Sequence, residues 1–187
     1  MSSKEYLILT GVIGLFAAHA AILYFMGQPA MCACGHIDLW HGIVTDSENS
    51  QHLFDWYSLS HVIHGILFYA FFTVLFPRLP VGYRLFLSVG LEAAWELVEN
   101  SPWIINRYRE QALAQGYFGD SIVNSLGDGF AALCGFLFAS RSRIWMSIAV
   151  VIALELLALY AIRDNLTLNI IQLLHPIDAI GAWQAAE

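Results

Sequence analysis

Long apolar stretches separated by short polar segments dominate the chain. No side chain between positions 6 and 37 carries a formal charge at neutral pH, and residues 6–26 are predominantly apolar. That length matches the ~20 residues that a helix needs to cross a bilayer. Further apolar stretches cover residues 57–76, 120–139 and 144–162. The pattern predicts an all-α, polytopic membrane bundle in which each of these stretches is a transmembrane helix.

A fifth span is predicted at residues 83–100, although three glutamates interrupt its apolar run. Glu92, Glu96 and Glu99 lie within this stretch, while most of the remaining residues are good helix formers. Pro102 follows directly and limits the helix. We interpret the interruption as a functional feature of a membrane helix rather than as the sign of a loop.

Composition agrees with a membrane protein and excludes several functions. The chain is 58 % hydrophobic and 12 % charged, with a mean hydropathy of +0.62, which is too apolar for an ordinary soluble domain. Eight basic against fifteen acidic residues give a net charge of -7, which excludes a nucleic-acid-binding surface. Phosphate-binding loops, dinucleotide fingerprints and nucleophile elbows are missing from the sequence. We expect residues 1–187 to form one integral membrane domain whose first span is a retained anchor, with a cleavable signal peptide as the alternative.

The basic residues predict the orientation of the bundle. The polar loop 28–56 contains no Lys or Arg, so we place it outside the cytoplasm and the N-terminus inside. The C-terminus is then extracytoplasmic, and segments 101–119 and 166–183 are predicted to lie at the interface on that side. The basic residues predicted inside are Lys4, Arg78, Arg84, Arg141 and Arg143, and those predicted outside are Arg107, Arg109 and Arg163.

Polar side chains recur at helical spacing on three predicted spans, and this orientation brings them to one membrane face. Residues three, four, seven or eight positions apart share one face of a helix. A charged carboxylate inside a membrane costs about 2.5–3.5 kcal/mol, so these groups need shared protons, water or a bound cation. The three stripes are His61 and His64 on the second span, Glu92, Glu96 and Glu99 on the third, and Asp120, Asn124 and Asp128 on the fourth.

The mixture of imidazole and carboxylate side chains is typical of divalent-metal sites in helix bundles, and it suits Zn, Mn or Fe. We therefore predict an enzyme that faces the outer side of the membrane and acts on a lipid or cell-envelope substrate. The predicted metal ligands are His61, His64, Glu96, Glu99 and Asp120. Glu92, Glu96 and Asp128 are the predicted catalytic groups, and Arg107, Arg109 and Asn124 the predicted substrate-binding groups.

Other functions fit the same residues. The carboxylates also suit a transporter of protons, cations or a small ligand, and the polar groups equally suit a scaffold or assembly factor held together by interhelical hydrogen bonds. His19 and Glu155 are each alone on their spans, and we expect isolated polar contacts there. Cys32-x-Cys34 lacks the second cysteine pair of a structural zinc site, so an oxidised or inert pair is expected. The bilayer is the one partner that the sequence predicts, and the oligomeric state stays open.

Several short motifs together resemble a known family. The chain is similar to domain-of-unknown-function family 2585, also called uncharacterised protein family 0314, over nearly its whole length. The resemblance implies a multi-pass inner-membrane protein of alphaproteobacteria and supplies no activity; a fainter analogy is to VanZ-like membrane proteins. The motifs are Cys32-x-Cys34-Gly35, Glu48-Asn-Ser-Gln-His52, Asp55-Trp-Tyr57, Ser60-His61-x-x-His64-Gly65, Trp95-Glu96-x-x-Glu99-Asn100, Gly119-Asp120-Ser121, Asn124-Ser125 and Arg163-Asp-Asn-Leu-Thr-Leu-Asn169.

Overall fold

The computed structural model describes residues 3–111 and 113–186, and this part of the chain is helical without a strand. The predicted all-α bundle is confirmed. The eight helices are α1 (Ser3–Met26), α2 (Ser58–Leu75), α3 (Val81–Glu99), α4 (Pro102–Arg109), α5 (Ile122–Arg141), α6 (Ile144–Ile162), α7 (Leu166–Leu174) and α8 (Asp178–Ala185).

Four of these helices, α1, α2, α5 and α6, are long and apolar enough to cross a membrane. They correspond to four of the five predicted spans. The fifth, α3, has 19 residues and is therefore long enough, but Arg84 and its three glutamates make it too polar to meet the same criterion. The helix is present where the sequence predicts it, and its crossing of the bilayer stays a prediction.

Helices α2 and α5 pack so closely that glycine is required at their contact. A Cβ atom added to Gly65 would lie 1.9 Å from the carbonyl oxygen of Ala132, and one added to Gly135 would lie 2.1 Å from that of Val62. Small residues allow such close approach between helices in a membrane, where burial from water does not drive their association. The polar faces of the two helices are consequently held at fixed separation.

Gly65→Ala is expected to destabilise the fold by about 1–3 kcal/mol, because the added methyl group meets backbone rather than a side chain that can move. Gly14→Ala is the matched control, since a Cβ at Gly14 has no neighbour within 4 Å. Thermal unfolding in detergent, followed by circular dichroism, compares the two variants. Equal melting temperatures would contradict the close α2–α5 contact.

The loop between α1 and α2 and the three short helices gather at one end of the bundle. The backbone of this loop accepts hydrogen bonds from the start of α5, from Ser121 N to Ser50 O at 2.9 Å and from Ile122 N to Pro29 O at 2.8 Å. In addition, Nε of Arg107 in α4 donates to the carbonyl oxygen of Leu173 in α7 at 3.0 Å. We call this end, formed by residues 27–57 and 113–121 together with α4, α7 and α8, the cap.

Glu155 fastens the cap to α6. Its two carboxylate oxygens accept hydrogen bonds from the backbone N–H groups of Leu166 and Thr167, at 3.0 and 3.2 Å, at the first turn of α7. The predicted isolated contact is thus an anchor for a helix N-terminus, where a negative charge is favourable. The C-terminal segment is interrupted around Pro176, since α7 ends at Leu174 and α8 follows as a separate helix that begins at Asp178.

Candidate functional site

Two histidines of α2 share one carboxylate of α3 inside the bundle. Nδ1 of His61 lies 2.5 Å from Oε1 of Glu92, and Nδ1 of His64 lies 3.2 Å from Oε2 of Glu92. The same His61 nitrogen is 3.1 Å from Oε1 of Glu96, which lies one turn further along α3. Glu92 and Glu96 have exposed fractions of only 1 % and 0 %. The structure therefore brings the predicted histidine and glutamate stripes into contact.

The network continues from Glu96 to α1. The Oγ atom of Ser125 donates to Oε2 of Glu96 at 2.5 Å and lies 2.9 Å from Nε2 of His19. Since the hydroxyl proton goes to the carboxylate, Ser125 accepts a hydrogen bond from His19. The expectation that His19 makes an isolated contact is wrong: its side chain is joined to the carboxylates of α3 through α5.

The remaining residues of the α5 stripe lie beside this network and have partners of their own. Ser58 donates to Oδ1 of Asp128 at 2.5 Å, and Oδ2 of Asp128 is 3.9 Å from Nε2 of His61. The Nδ2 atom of Asn124 donates to the carbonyl oxygen of His52 at 2.8 Å, while its Oδ1 is buried without a hydrogen-bond partner. Asn124, predicted to bind substrate, thus joins the loop between α1 and α2 to α5.

Asp120 occupies the start of the same stripe, just before α5. Asn100 donates to its Oδ2 at 2.7 Å and Tyr117 donates to its Oδ1 at 2.9 Å. Burial raises the pKa of Asp120 to about 6 despite these two donors. Both oxygens are engaged, and Asp120 belongs to no metal-ligand group found within residues 3–111 and 113–186. The structure does not bring it together with the other predicted ligands.

Two carboxylate oxygens in the cluster lack a donor. Tyr108 donates to Oε1 of Glu99 at 2.9 Å, but Oε2 of Glu99 is buried without a partner. Oε1 of Glu96 is also buried without a hydrogen bond, because His61 directs its Nδ1 toward Glu92. Buried acceptors without a hydrogen bond are costly, and a cation or a hydrogen-bond donor beside these two oxygens would compensate that cost.

Within this cluster, two overlapping groups of side chains lie close enough together to hold a metal ion, and both oxygens belong to residues of the first group. In each group, one possible ligand atom of every member lies within 4.8 Å of those of the others. His61 is common to both, so the two groups overlap at one imidazole. The first group is His61, Glu96 and Glu99, and the second is His61, His64 and Glu92. The donor types, imidazole nitrogen and carboxylate oxygen, fit Zn, Mn or Fe.

A small polar cavity of about 40 Å³ opens directly above this cluster. Its wall carries three carboxylates, three tyrosines and several amides but no lysine or arginine. The lining residues are Asn49, Ser50, Tyr57, His61, Glu99, Tyr108, Gln111, Ala114, Tyr117, Asp120, Asp128 and Asn169.

A much larger apolar groove, of about 560 Å³, meets the cluster from the side. It runs between α2, α3 and α7, and its polar members are concentrated at one end. Tyr57, His61, Glu99, Tyr108 and Asn169 line both the groove and the polar cavity. The remaining wall of the groove consists of Ser60, His64, Leu67, Phe68, Leu91, Ala94, Trp95, Val98, Leu166, Ile170 and Leu173.

A family model described as a protein of unknown function, DUF2585, matches residues 23–186. The chain belongs to this family. Relatives named UPF0314 protein are 55 % identical in Brucella anthropi, over 93 % of this chain and 88 % of the relative, and 47 % identical in Sphingopyxis alaskensis, over 99 % and 97 %. A third, in Paracoccus denitrificans, is 48 % identical over 88 % of this chain and 85 % of the relative. No solved structure matches the chain.

In this DUF2585 member the two arginines predicted to bind substrate lie away from the cluster. The guanidinium of Arg107 donates hydrogen bonds to the carbonyl oxygen of Leu173 and to the carboxylate of Glu110, the latter at 2.8 Å. Arg109 donates to the carbonyl oxygen of Tyr117 at 2.5 Å. Neither lines the polar cavity or the groove. Both side chains instead bind backbone of the cap, an ordinary role for arginine near helix ends.

The loop between α1 and α2 holds two further groups that could hold a metal ion, and both include His52. The second of them is His36, Asp38 and His52. Cys32 and Cys34 lie close to Glu48 and His52, but the two sulfurs are joined in a disulfide. The Nε2 atom of His52 is 3.0 Å from Glu48, and its Nδ1 accepts a hydrogen bond from the backbone of Asp38 at 3.0 Å. Both ring nitrogens are therefore engaged within the loop.

Sequence reasoning missed the neutral partners that surround the carboxylates. Tyr57, Tyr108 and Tyr117 come from three different segments, and single aromatic residues in cap regions give no periodic signal. Sequence reasoning also missed Asp164, a carboxylate that accepts a hydrogen bond from Tyr57 at 3.3 Å. Burial raises the pKa of Asp164 to about 6. The motifs containing Asp55-Trp-Tyr57 and Arg163-Asp-Asn were the available hints, and neither indicates which side chains meet.

Proposed function

We propose that this protein is a metal-dependent membrane enzyme that acts on an amphiphilic lipid or cell-envelope substrate. The observation that carries the proposal is the meeting of two spaces of opposite character at His61 and Glu99. A polar cavity lies on one side of these residues and an apolar groove of about 560 Å³ on the other. A molecule with a polar end and a hydrocarbon body matches that division.

His61, Glu96 and Glu99 are the residues that we assign to the metal. The two unpaired carboxylate oxygens support this choice, since a divalent cation would compensate both of them. A neutral His61 keeps a lone pair on one ring nitrogen, which it can offer to an ion. When bound, the metal would supply Lewis-acid activation of a water molecule or of a substrate oxygen.

Glu92 and Asp128 act beside the metal ligands in this proposal. Glu92 contacts both imidazoles, so it fixes the orientation of His61 and can hold a proton released at the site. Asp128 lines the polar cavity 3.9 Å from His61, within range to take part in the same transfer. His64 lines the groove, and its contact with Glu92 makes it a positioning residue or an additional ligand.

The proposal retains the predicted orientation, with the cap outside the inner membrane. The absence of lysine and arginine between residues 28 and 57 supports it. An amphiphile in the outer leaflet would then reach the groove without crossing the membrane.

Elemental analysis followed by a turnover assay tests the proposed function. The full chain is purified in detergent, its Zn, Mn and Fe contents are measured, and it is incubated with total membrane lipid whose products are followed by mass spectrometry. We expect nearly one ion per chain and chelator-sensitive conversion of a lipid. A chain that stays metal-free after supplementation, or lipid that is unchanged with every metal, would contradict the proposal and favour proton or cation transport through the same carboxylates.

A further inference from the structure

The polar cavity contains two unpaired amide atoms that no step of the proposed reaction uses. Nε2 of Gln111, a hydrogen-bond donor, and Oδ1 of Asn49, an acceptor, are both buried from solvent without a partner. Both residues line the cavity, together with the unpaired Oε2 of Glu99. Burying an amide group without a hydrogen-bond partner costs about 1–3 kcal/mol of free energy. A ligand that supplies the missing hydrogen bonds would offset that cost.

The chemistry of the pair indicates what can satisfy it. One donor and one acceptor on residues that line the same cavity fit a group that itself both donates and accepts, such as a hydroxyl or an amide. Neither a phosphate, which only accepts when ionised, nor an ammonium, which only donates, can pair with both atoms.

The size and charge of the cavity also favour a small, uncharged polar group. A volume of about 40 Å³ has room for roughly three water molecules, so it admits a small polar group. Glu99, Asp120 and Asp128 are in the wall without a lysine or arginine, and Arg107 and Arg109 donate to the carbonyl oxygens of Leu173 and Tyr117 instead. An anionic head group would meet carboxylates here, and it would have no guanidinium to pair with.

We infer that the amphiphile bound at this site carries an uncharged hydroxyl or amide at its polar end, recognised by Gln111 and Asn49. The inference rests on the proposed function for the location of the substrate, and it concerns binding rather than turnover. The hydrocarbon body lies in the apolar groove, and the polar end passes between Tyr57 and Tyr108 into the cavity. Gln111 and Asn49 are therefore specificity-determining residues that are separate from the metal ligands.

Competition among four probes of equal chain length tests the inference: hexadecanol, hexadecanamide, hexadecylamine and hexadecyl phosphate. Each probe displaces a fluorescent fatty alcohol from the full chain in detergent, with Zn²⁺ present and with Zn²⁺ removed. We expect the two uncharged probes to bind about tenfold more tightly than either charged probe, the effect of one well-placed hydrogen bond. Tightest binding by the phosphate or by the amine, in either condition, would overturn the inference.

Substitutions assign the preference to the two amides. Gln111→Leu and Asn49→Ala should each reduce the preference for the uncharged probes to less than threefold, while Gln115→Leu should leave it unchanged. Gln115 is an exposed amide of the same segment that does not line the polar cavity. Size-exclusion profiles show whether each variant is folded, and a preference that survives in both folded variants would overturn the assignment. The probes are bound and not converted, so the binding preference can be measured with or without metal. A chain that holds no metal would therefore contradict the proposed function but would not affect this test.

Discussion

Replacing His61 with alanine is expected to reduce bound metal from nearly one ion per chain to background and to abolish lipid turnover. His61 belongs to both metal-capable groups of the cluster, so its loss removes a ligand whichever group holds the ion. Removing a group that merely orients a ligand costs 10–100-fold in metal affinity, so loss of the ligand itself should cost at least about 100-fold. Metal content per chain, measured after dialysis against buffered Zn²⁺, is the readout.

The control for this experiment is His175→Ala. His175 is exposed at the end of α7 and belongs to none of the metal-capable groups of the described residues. Because His61 is buried against Glu92 and Glu96, its removal also leaves carboxylates without a partner. His61→Gln, which keeps polar atoms in that space, provides a second test if the alanine variant does not fold. A folded variant that retains stoichiometric metal would remove His61 from the ligand set.

Ala94→Trp is expected to abolish amphiphile binding while leaving metal content unchanged. Ala94 lines the apolar groove, so an indole at this position occupies space that the hydrocarbon body of the substrate needs. Displacing only two methylene groups would cost about 1.6 kcal/mol, which is slightly more than tenfold in affinity. Displacement of the fluorescent fatty alcohol measures the affinity, and elemental analysis measures the metal.

Ala153→Trp is the matched substitution on α6, at an exposed position that does not line the groove. It should bind both the alcohol and the metal as the unmodified chain does. If Ala94→Trp and Ala153→Trp bound the alcohol equally well, the groove would not be the site of the hydrocarbon chain. The His61 and Ala94 variants thus separate the metal half of the proposal from the lipid half.

The helices were predictable because membrane spans depend on hydrophobicity averaged over about 20 residues, and a few polar residues change that average little. Even α3 was identified, since its glutamates fall on one face and leave the rest of the helix apolar. The polar faces of α2 and α3 were also predictable, because helical spacing assigns each residue to a face and few faces can carry buried charge. These inferences need only the residues of one helix at a time.

Contacts made by long or neutral side chains were not predictable in the same way. Arg107 and Arg109 follow α3 closely in sequence, yet their guanidinium groups reach backbone carbonyls of the cap instead of the carboxylates. The link from His19 through Ser125 to Glu96 depends on how α1 is rotated against α5, which a single histidine on a span does not specify. Periodicity gives the face of a helix but not the neighbour that the face meets.

The exposure of the apolar groove also bears on whether the rate would depend on the concentration of substrate in the membrane or on its concentration in the whole sample. Leu67, Leu91, Val98 and Ile170 in its wall are between 39 % and 48 % exposed on a bundle with four helices apolar enough to span a membrane. In the proposed function, the groove would fill from the plane of the bilayer, so its occupancy would follow the mole fraction of the amphiphile among neighbouring lipids. Diluting the same membranes in more buffer would leave the rate per protein unchanged, whereas adding inert lipid would lower it.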